Sequence, residues 1–172
     1  MTAGIGWFAL NVKRRKEFVV ARLLRGQGME EFLPTYSGGR CLFPGLVFCR
    51  LDRGNRQAVL AVPGVLSIVG SSDSGPSISD AEIGSLKILL AARLPVRPGK
   101  LSPEGQRVRI TQGPLAGLAG ILVRKRDDFQ IVVGVAALNR SVIAAIDREF
   151  IRALDGAPHA DLARIFLTSN SL

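Results

Sequence analysis

The spacing of apolar residues changes period along this chain, and each change marks an element. Residues 7–12, Trp-Phe-Ala-Leu-Asn-Val, alternate weakly between apolar and polar and predict a strand. From Glu17 to Arg25 the spacing turns helical, with Phe18, Val20, Ala21 and Leu24 on neighbouring faces, and Gly26 and Gly28 stop it. Glu31 to Tyr36 reads as a short strand in which Pro34 marks an edge or a bulge. Beyond the turn Ser37-Gly38-Gly39, Leu42 to Leu51 predicts a strong strand. From Leu46 until Arg50 it is apolar on both faces, as a central strand is. Asp52-Arg53-Gly54 turns the chain into a short helix over Asn55 to Val62, ended by Pro63-Gly64, and Val65 to Val69 is β-rich again. A Ser/Gly/Pro loop over 71–77 leads to Ser79-Asp80-Ala81-Glu82, a capping box. The helix it starts carries Ile83, Leu86, Leu89 and Leu90 as one stripe and ends near Arg93, before Pro95. Strand, helix, strand, strand, helix, strand, helix is the order of an α+β unit, an antiparallel sheet covered by helices.

The pattern then changes character. Three prolines and a glycine over 94–104 argue against helix or central strand and predict a linker. Arg107 to Thr111 alternates strictly, and Gly113, Pro114, Gly117 and Gly120 follow at close spacing. Residues 118–125, 129–135, 141–146 and 149–154 read as four further short strands, and five strands in so short a stretch predict a small closed barrel. The expected organisation is a first domain over 1–93, a linker over 94–104, a barrel over 105–156 and a tail over 157–172, with a short helix from Ala160 to Leu167.

Charge adds a partner class. Lys and Arg total 23 against 14 acidic residues, a net +9 over 172 residues, which favours polyanions or an acidic protein surface. The hydrophobic fraction of 47% is enough to bury a core, and no apolar run approaches the roughly 20 residues of a membrane span. The first residues lack the basic start and apolar stretch of a signal peptide. Cys41 and Cys49 have no CxxC spacing and read as free thiols in a reducing cytoplasm. His159 is the only histidine. Triad chemistry or a zinc site would have to use it, and there is neither a P-loop nor an HExxH motif. An enzyme, a cofactor and a metal site are therefore not expected.

Residues 106–123, QRVRITQGPLAGLAGILV, resemble a KOW motif, which ribosomal and RNA-associated proteins also carry. The first half is more specific. Trp7-Phe8, Leu42-Phe43-Pro44-Gly45-Leu46-Val47-Phe48, Val62-Pro63-Gly64-Val65 and Ile78-Ser79-Asp80-Ala81-Glu82-Ile83 are similar in order and spacing to the NGN domain of NusG proteins. The resemblance covers residues 7–154. Glu30 to Tyr36 and Leu138 to Val142 look more like the specialised RfaH-like and UpxY-like antiterminators than the housekeeping protein.

The resemblance implies an α+β NGN domain, a KOW barrel, and a monomeric, non-enzymatic elongation or antitermination factor that binds RNA polymerase. The positions matching the family's apolar polymerase contacts are Phe43, Leu46, Val65 and Ile68, while an aromatic contact on the first strand is replaced by Asn11. A second polymerase contact, a His-Thr-Thr turn in RfaH-like proteins, falls on Asn55, Arg56 and Gln57. Lys13 and Arg14 match a segment that touches non-template DNA, and Arg15, Lys16, Arg22 and Arg25 extend it. The Phe-Gly-Arg turn with which housekeeping NusG meets Rho or a ribosomal protein reads Leu138-Asn139-Arg140 here, so that Leu138 and Arg140 are the candidate contacts. The link from Ser37 to Cys41 is shorter than the family's basic hairpin loop. The alternatives are a housekeeping NusG that couples polymerase to Rho or the ribosome, and a ribosome-associated KOW protein. The Val-, Ile- and Gly-rich second unit is expected to be β rather than a helical hairpin.

Overall fold

The computed structural model describes residues 5–52, 54–70, 77–100, 106–125, 128–135, 138–146 and 151–153. The chain divides into two compact units, Met1–Ile83 and Gly84–Leu172.

The first unit is built on a four-stranded antiparallel sheet. Its strands are β1 (Gly6–Val12), β2 (Glu31–Phe32), β5 (Leu46–Leu51) and β6 (Val65–Ile68), in the order β2-β5-β1-β6. The short strands β3 (Thr35–Tyr36) and β4 (Arg40–Cys41) pair separately. Helix α1 (Glu17–Gly26) follows β1, and α2 (Arg56–Leu60) lies between β5 and β6. β5 is central, as its unbroken apolar run requires. Phe8 faces Cys49 and Leu10 faces Val47 across its pairing with β1.

The sheet buries both faces. On one, Leu10, Val12, Val47, Cys49, Leu51 and Ile68 pack against Val20, Ala21 and Leu24 of α1 and against Val59 and Val62. On the other, Phe48 stacks on Phe32 with ring centroids 6.1 Å apart, and Phe43 meets it edge-on at 6.0 Å. Trp7 donates its indole N–H to Asp80 Oδ1 at 3.1 Å and accepts the Ile78 N–H on its carbonyl at 2.7 Å. These bonds anchor the start of α3 (Asp80–Ala91). The capping box is formed: Ser79 N–H and Oγ donate to Glu82 Oε2 at 2.9 and 2.8 Å, and the Glu82 N–H donates to Ser79 Oγ at 3.2 Å.

The second unit holds a six-stranded antiparallel sheet in the order β12-β8-β9-β10-β11-β7. Its members are β7 (Val96–Lys100), β8 (Gln106–Ile110), β9 (Ala119–Lys125), β10 (Asp128–Val135), β11 (Arg140–Ile146) and β12 (Ile151–Ala153). Val108, Ile110, Leu122, Ile131, Val133, Val135, Val142 and Ala144 are buried in its core.

Three expectations are corrected. The stretch over 94–104 is not bare linker, because Val96–Lys100 pairs with β11 as an edge strand, and the boundary between the units falls inside α3. Leu42 to Gly45 is not strand. Pro44 lacks an N–H for a ladder and Gly45 turns at φ +82°, so β5 starts at Leu46. Glu31 to Tyr36 is broken by Leu33-Pro34 into β2 and β3. The expected tail helix lies outside the described residues.

Candidate functional site

The basic run sits on the turn between β1 and α1. That turn is strapped by backbone bonds to distant parts of the chain. Val12 N–H donates to Gly45 O at 2.9 Å, Lys13 N–H to Gly64 O at 2.8 Å, and Lys16 N–H to Lys13 O at 3.0 Å. Arg15 adopts φ +66°, a left-handed conformation unusual for arginine. Gly64 passes close to the first turn of α1, where an added Cβ would lie 2.9 Å from Val20 Cγ2.

The side chains of Lys13, Arg14, Arg15 and Lys16 are all exposed. Among the described residues they form no ion pair. A helix N-terminus disfavours positive charge, and here the offset is Glu17, buried in the first turn. Its Oε1 accepts the Gly45 N–H at 2.9 Å. The result is a fixed backbone presenting four unpaired cations to solvent, the arrangement that phosphate contacts need. Arg22 is also exposed and, among the described residues, free of an ion pair, but Arg25 is held by Glu31 and adds less to the patch.

The apolar positions are placed differently from the expectation. Phe43 is 1% exposed, and Leu46 and Ile68 are buried. Val65 is half-buried against the cluster under α1. As placed, these residues are core and do not form an open docking surface, because both faces of the sheet are covered. Two leucines of the same region take the surface instead: Leu60 on α2, 43% exposed, and Leu66 on β6, 67% exposed. The register of β6 against β1 shifts at Asn11/Val12, and this irregularity lies beside Leu66.

The polar candidates lie nearby on the chain. Asn55 and Gln57 are exposed and Arg56 is half-buried, at the start of an α2 whose entry is fixed by Asn55 N–H donating to Asp52 Oδ1 at 2.8 Å. Asn11 spends its amide on Ser67, donating to Oγ at 2.9 Å.

In the second unit Leu138 and Arg140 flank Asn139 at the β10–β11 turn. Asn139 adopts φ +49°, Leu138 is half-buried and Arg140 is exposed. Among the described residues no three His, Cys, Asp or Glu gather to hold a metal, and no helix is long and apolar enough to cross a membrane.

Sequence reasoning missed Glu17, Leu66 and the outer face of α1. The signal for Glu17 was its helical phase, which is that of Val20, Ala21 and Leu24. Phe18, by contrast, lies outside. Nothing in the pattern of β6 marked Leu66.

Residues 6–87 match the family model described as transcription termination factor nusG. A curated relative, the transcription termination/antitermination protein NusG of Campylobacter jejuni subsp. jejuni, is 27% identical over 158 residues, covering 79% of this chain and 87% of its own. The solved structure of Thermotoga maritima NusG superposes with a TM-score of 0.52 at 20% identity, over 88% of this chain and 98% of that one, and supports the fold. The family is one of transcription factors and not of enzymes. With an α+β unit that matches the family's model over residues 6–87 and a β unit after it, the chain is similar to the NusG proteins in sequence through its first unit and in fold through both.

Proposed function

We propose that the protein is an elongation factor of the antitermination kind, which docks on RNA polymerase through its first unit and holds non-template DNA on its basic turn. The observation that carries this reading is the strapped β1–α1 turn, with Lys13, Arg14, Arg15 and Lys16 exposed and without an ion pair among the described residues, in a domain that matches the NusG family's model. The mechanism is differential binding: a factor that contacts the active polymerase better than the paused one shifts the population toward elongation without chemistry. We assign the polymerase contact to the segment from α2 to β6, where Leu60 and Leu66 are exposed beside Asn55, Arg56 and Gln57. Val65 and Ile68 pack in the cluster that holds Val59 and Val62 of that segment, whereas Phe43 and Leu46 are buried and lie outside it. The resemblance of residues 30–36 and 138–142 to specialised paralogues favours antitermination over the housekeeping role. Exposed Arg140 beside Leu138 leaves a ribosomal protein as the partner for the second unit, and leucine in place of the family's aromatic argues against Rho.

The test is multi-round transcription by purified bacterial RNA polymerase with and without the protein. Fewer pauses and longer transcripts are expected, with the effect lost in Leu66→Ser and reduced in Lys13→Ala/Arg14→Ala. These surface positions are chosen over Phe43, whose truncation would unfold the core. No effect on any template, with no polymerase retained in a pull-down, would reject the reading and favour a ribosome-associated protein.

A further inference from the structure

The solvent face of α1 is the wrong polarity for a helix on the surface of a monomer. Glu17, Val20, Ala21 and Leu24 turn inward, so the opposite face should be polar. It instead carries Phe18, 52% exposed, Val19, 46%, and Leu23, 37%. These are half of the exposed large apolar side chains among the described residues. Phe18 with Arg22, and Val19 with Leu23, form two adjacent i, i+4 rows. Gly26 ends the face with nothing within 4 Å of where its Cβ would stand, so nothing overhangs the patch there. A cleft of about 410 Å³ runs alongside, lined by Phe18, Arg22, Arg25, Glu31, Phe32 and Leu33 among others.

The charges at this face are one-sided. Among the described residues Arg22 is exposed and without an ion pair within the rows, and Arg15 and Lys16 are exposed and without one at the helix's start. The carboxylates of α1 and of the cleft are withdrawn: Glu17 is buried, and Glu31 is tied to Arg25 with its side chain 7% exposed. An apolar stripe flanked by cations is complemented by an apolar stripe flanked by carboxylates. A second copy of this chain would bring the same cations against these, at a net charge of +9 each. Nucleic acid would leave Val19 and Leu23 without function, since bases stack on aromatic planes and not on aliphatic side chains.

We propose that the outer face of α1 is a docking site for an acidic amphipathic segment of a partner protein. Its leucine-type side chains lie over Phe18, Val19 and Leu23 and reach the adjoining cleft, and its carboxylates meet Arg22 and the cations at the helix's start. This site is separate from the polymerase contact assigned to α2–β6.

The test is a titration of the full-length, isotope-labelled protein, followed by backbone amide shifts. The probes are an amphipathic peptide with leucine along one face and glutamate on its flanks, the same peptide with lysine for glutamate, and a single-stranded oligonucleotide. The glutamate peptide should bind saturably and shift the amides of residues 17–35, and the lysine peptide should not. Phe18→Ser/Leu23→Ser should weaken the glutamate peptide about tenfold or more while leaving the remaining amide spectrum and the oligonucleotide's shifts at residues 13–16 unchanged, and Arg22→Glu should weaken the glutamate peptide to a similar extent. Absence of saturable binding, equal binding of the lysine peptide, or affinity unchanged in these variants would overturn the proposal. So would an oligonucleotide whose binding is lost with Phe18 and Leu23, which would make the face a nucleic-acid surface.

Discussion

At Gly64 two requirements coincide. The residue turns at φ +99°, and the space its Cβ would take is already occupied by Val20. Gly64→Ala should therefore cost about 1–3 kcal/mol, seen as a lower urea midpoint with an unchanged slope. The cysteines differ from one another in a measurable way. Burial first, then Glu31 and Glu30, push the Cys49 thiol up to about 12. Burial and Glu17 raise that of Cys41, which is only half-buried. The thiolate is the nucleophile, and raising the pKa empties it near neutral pH. A maleimide reagent in native buffer should leave Cys49 unmodified and label Cys41 slowly, and unfolding in urea should bring both to the rate of an ordinary thiol. Fast labelling of Cys49 in the native protein would show that its burial is not maintained.

Elements were legible where one local rule decided them. The capping box at Ser79-Asp80-Ala81-Glu82 needed only residues three apart, and its bonds are all formed. Ser79→Ala should cost about 1 kcal/mol, read as a lower thermal midpoint. β5 was recognisable as central because an apolar run on both faces belongs where both faces are buried and a strand lies on either side. What escaped the pattern depended on neighbours. Pro98 counts against a central strand, but β7 is an edge, where a missing N–H costs nothing, and Pro98 faces Val142 in register. Edge or centre is a fact about the other strands and cannot be read from β7 alone. Phe43 and Leu66 show the same limit at a site. Apolar identity suggested contact surfaces, yet turn geometry buries the phenylalanine while β6 leaves the leucine in water. The basic run itself was plain in the sequence. Its strapping to Gly45 and Gly64 joins residues far apart in the chain and could only be seen in the fold.

For the whole molecule, the net charge of +9 sets the binding that salt controls. Affinity for a single-stranded oligonucleotide should fall linearly with the logarithm of salt concentration. Lys13→Ala/Arg14→Ala should lower that slope by about 1.4, or about 0.7 for each phosphate contact removed. An unchanged slope would show that these two cations do not touch phosphate. The bonds that hold the turn carry a further consequence. Because Val12 and Lys13 are fixed by Gly45 and Gly64, their alignment exists only when the sheet has formed, while an unfolded chain keeps the charges without the arrangement. A ligand that needs the arrangement draws its free energy from the native state alone. The oligonucleotide should accordingly act as a folding ligand, raising the unfolding temperature with the logarithm of its concentration once saturating. Heat, and not only a binding assay, would then report whether the turn is being used.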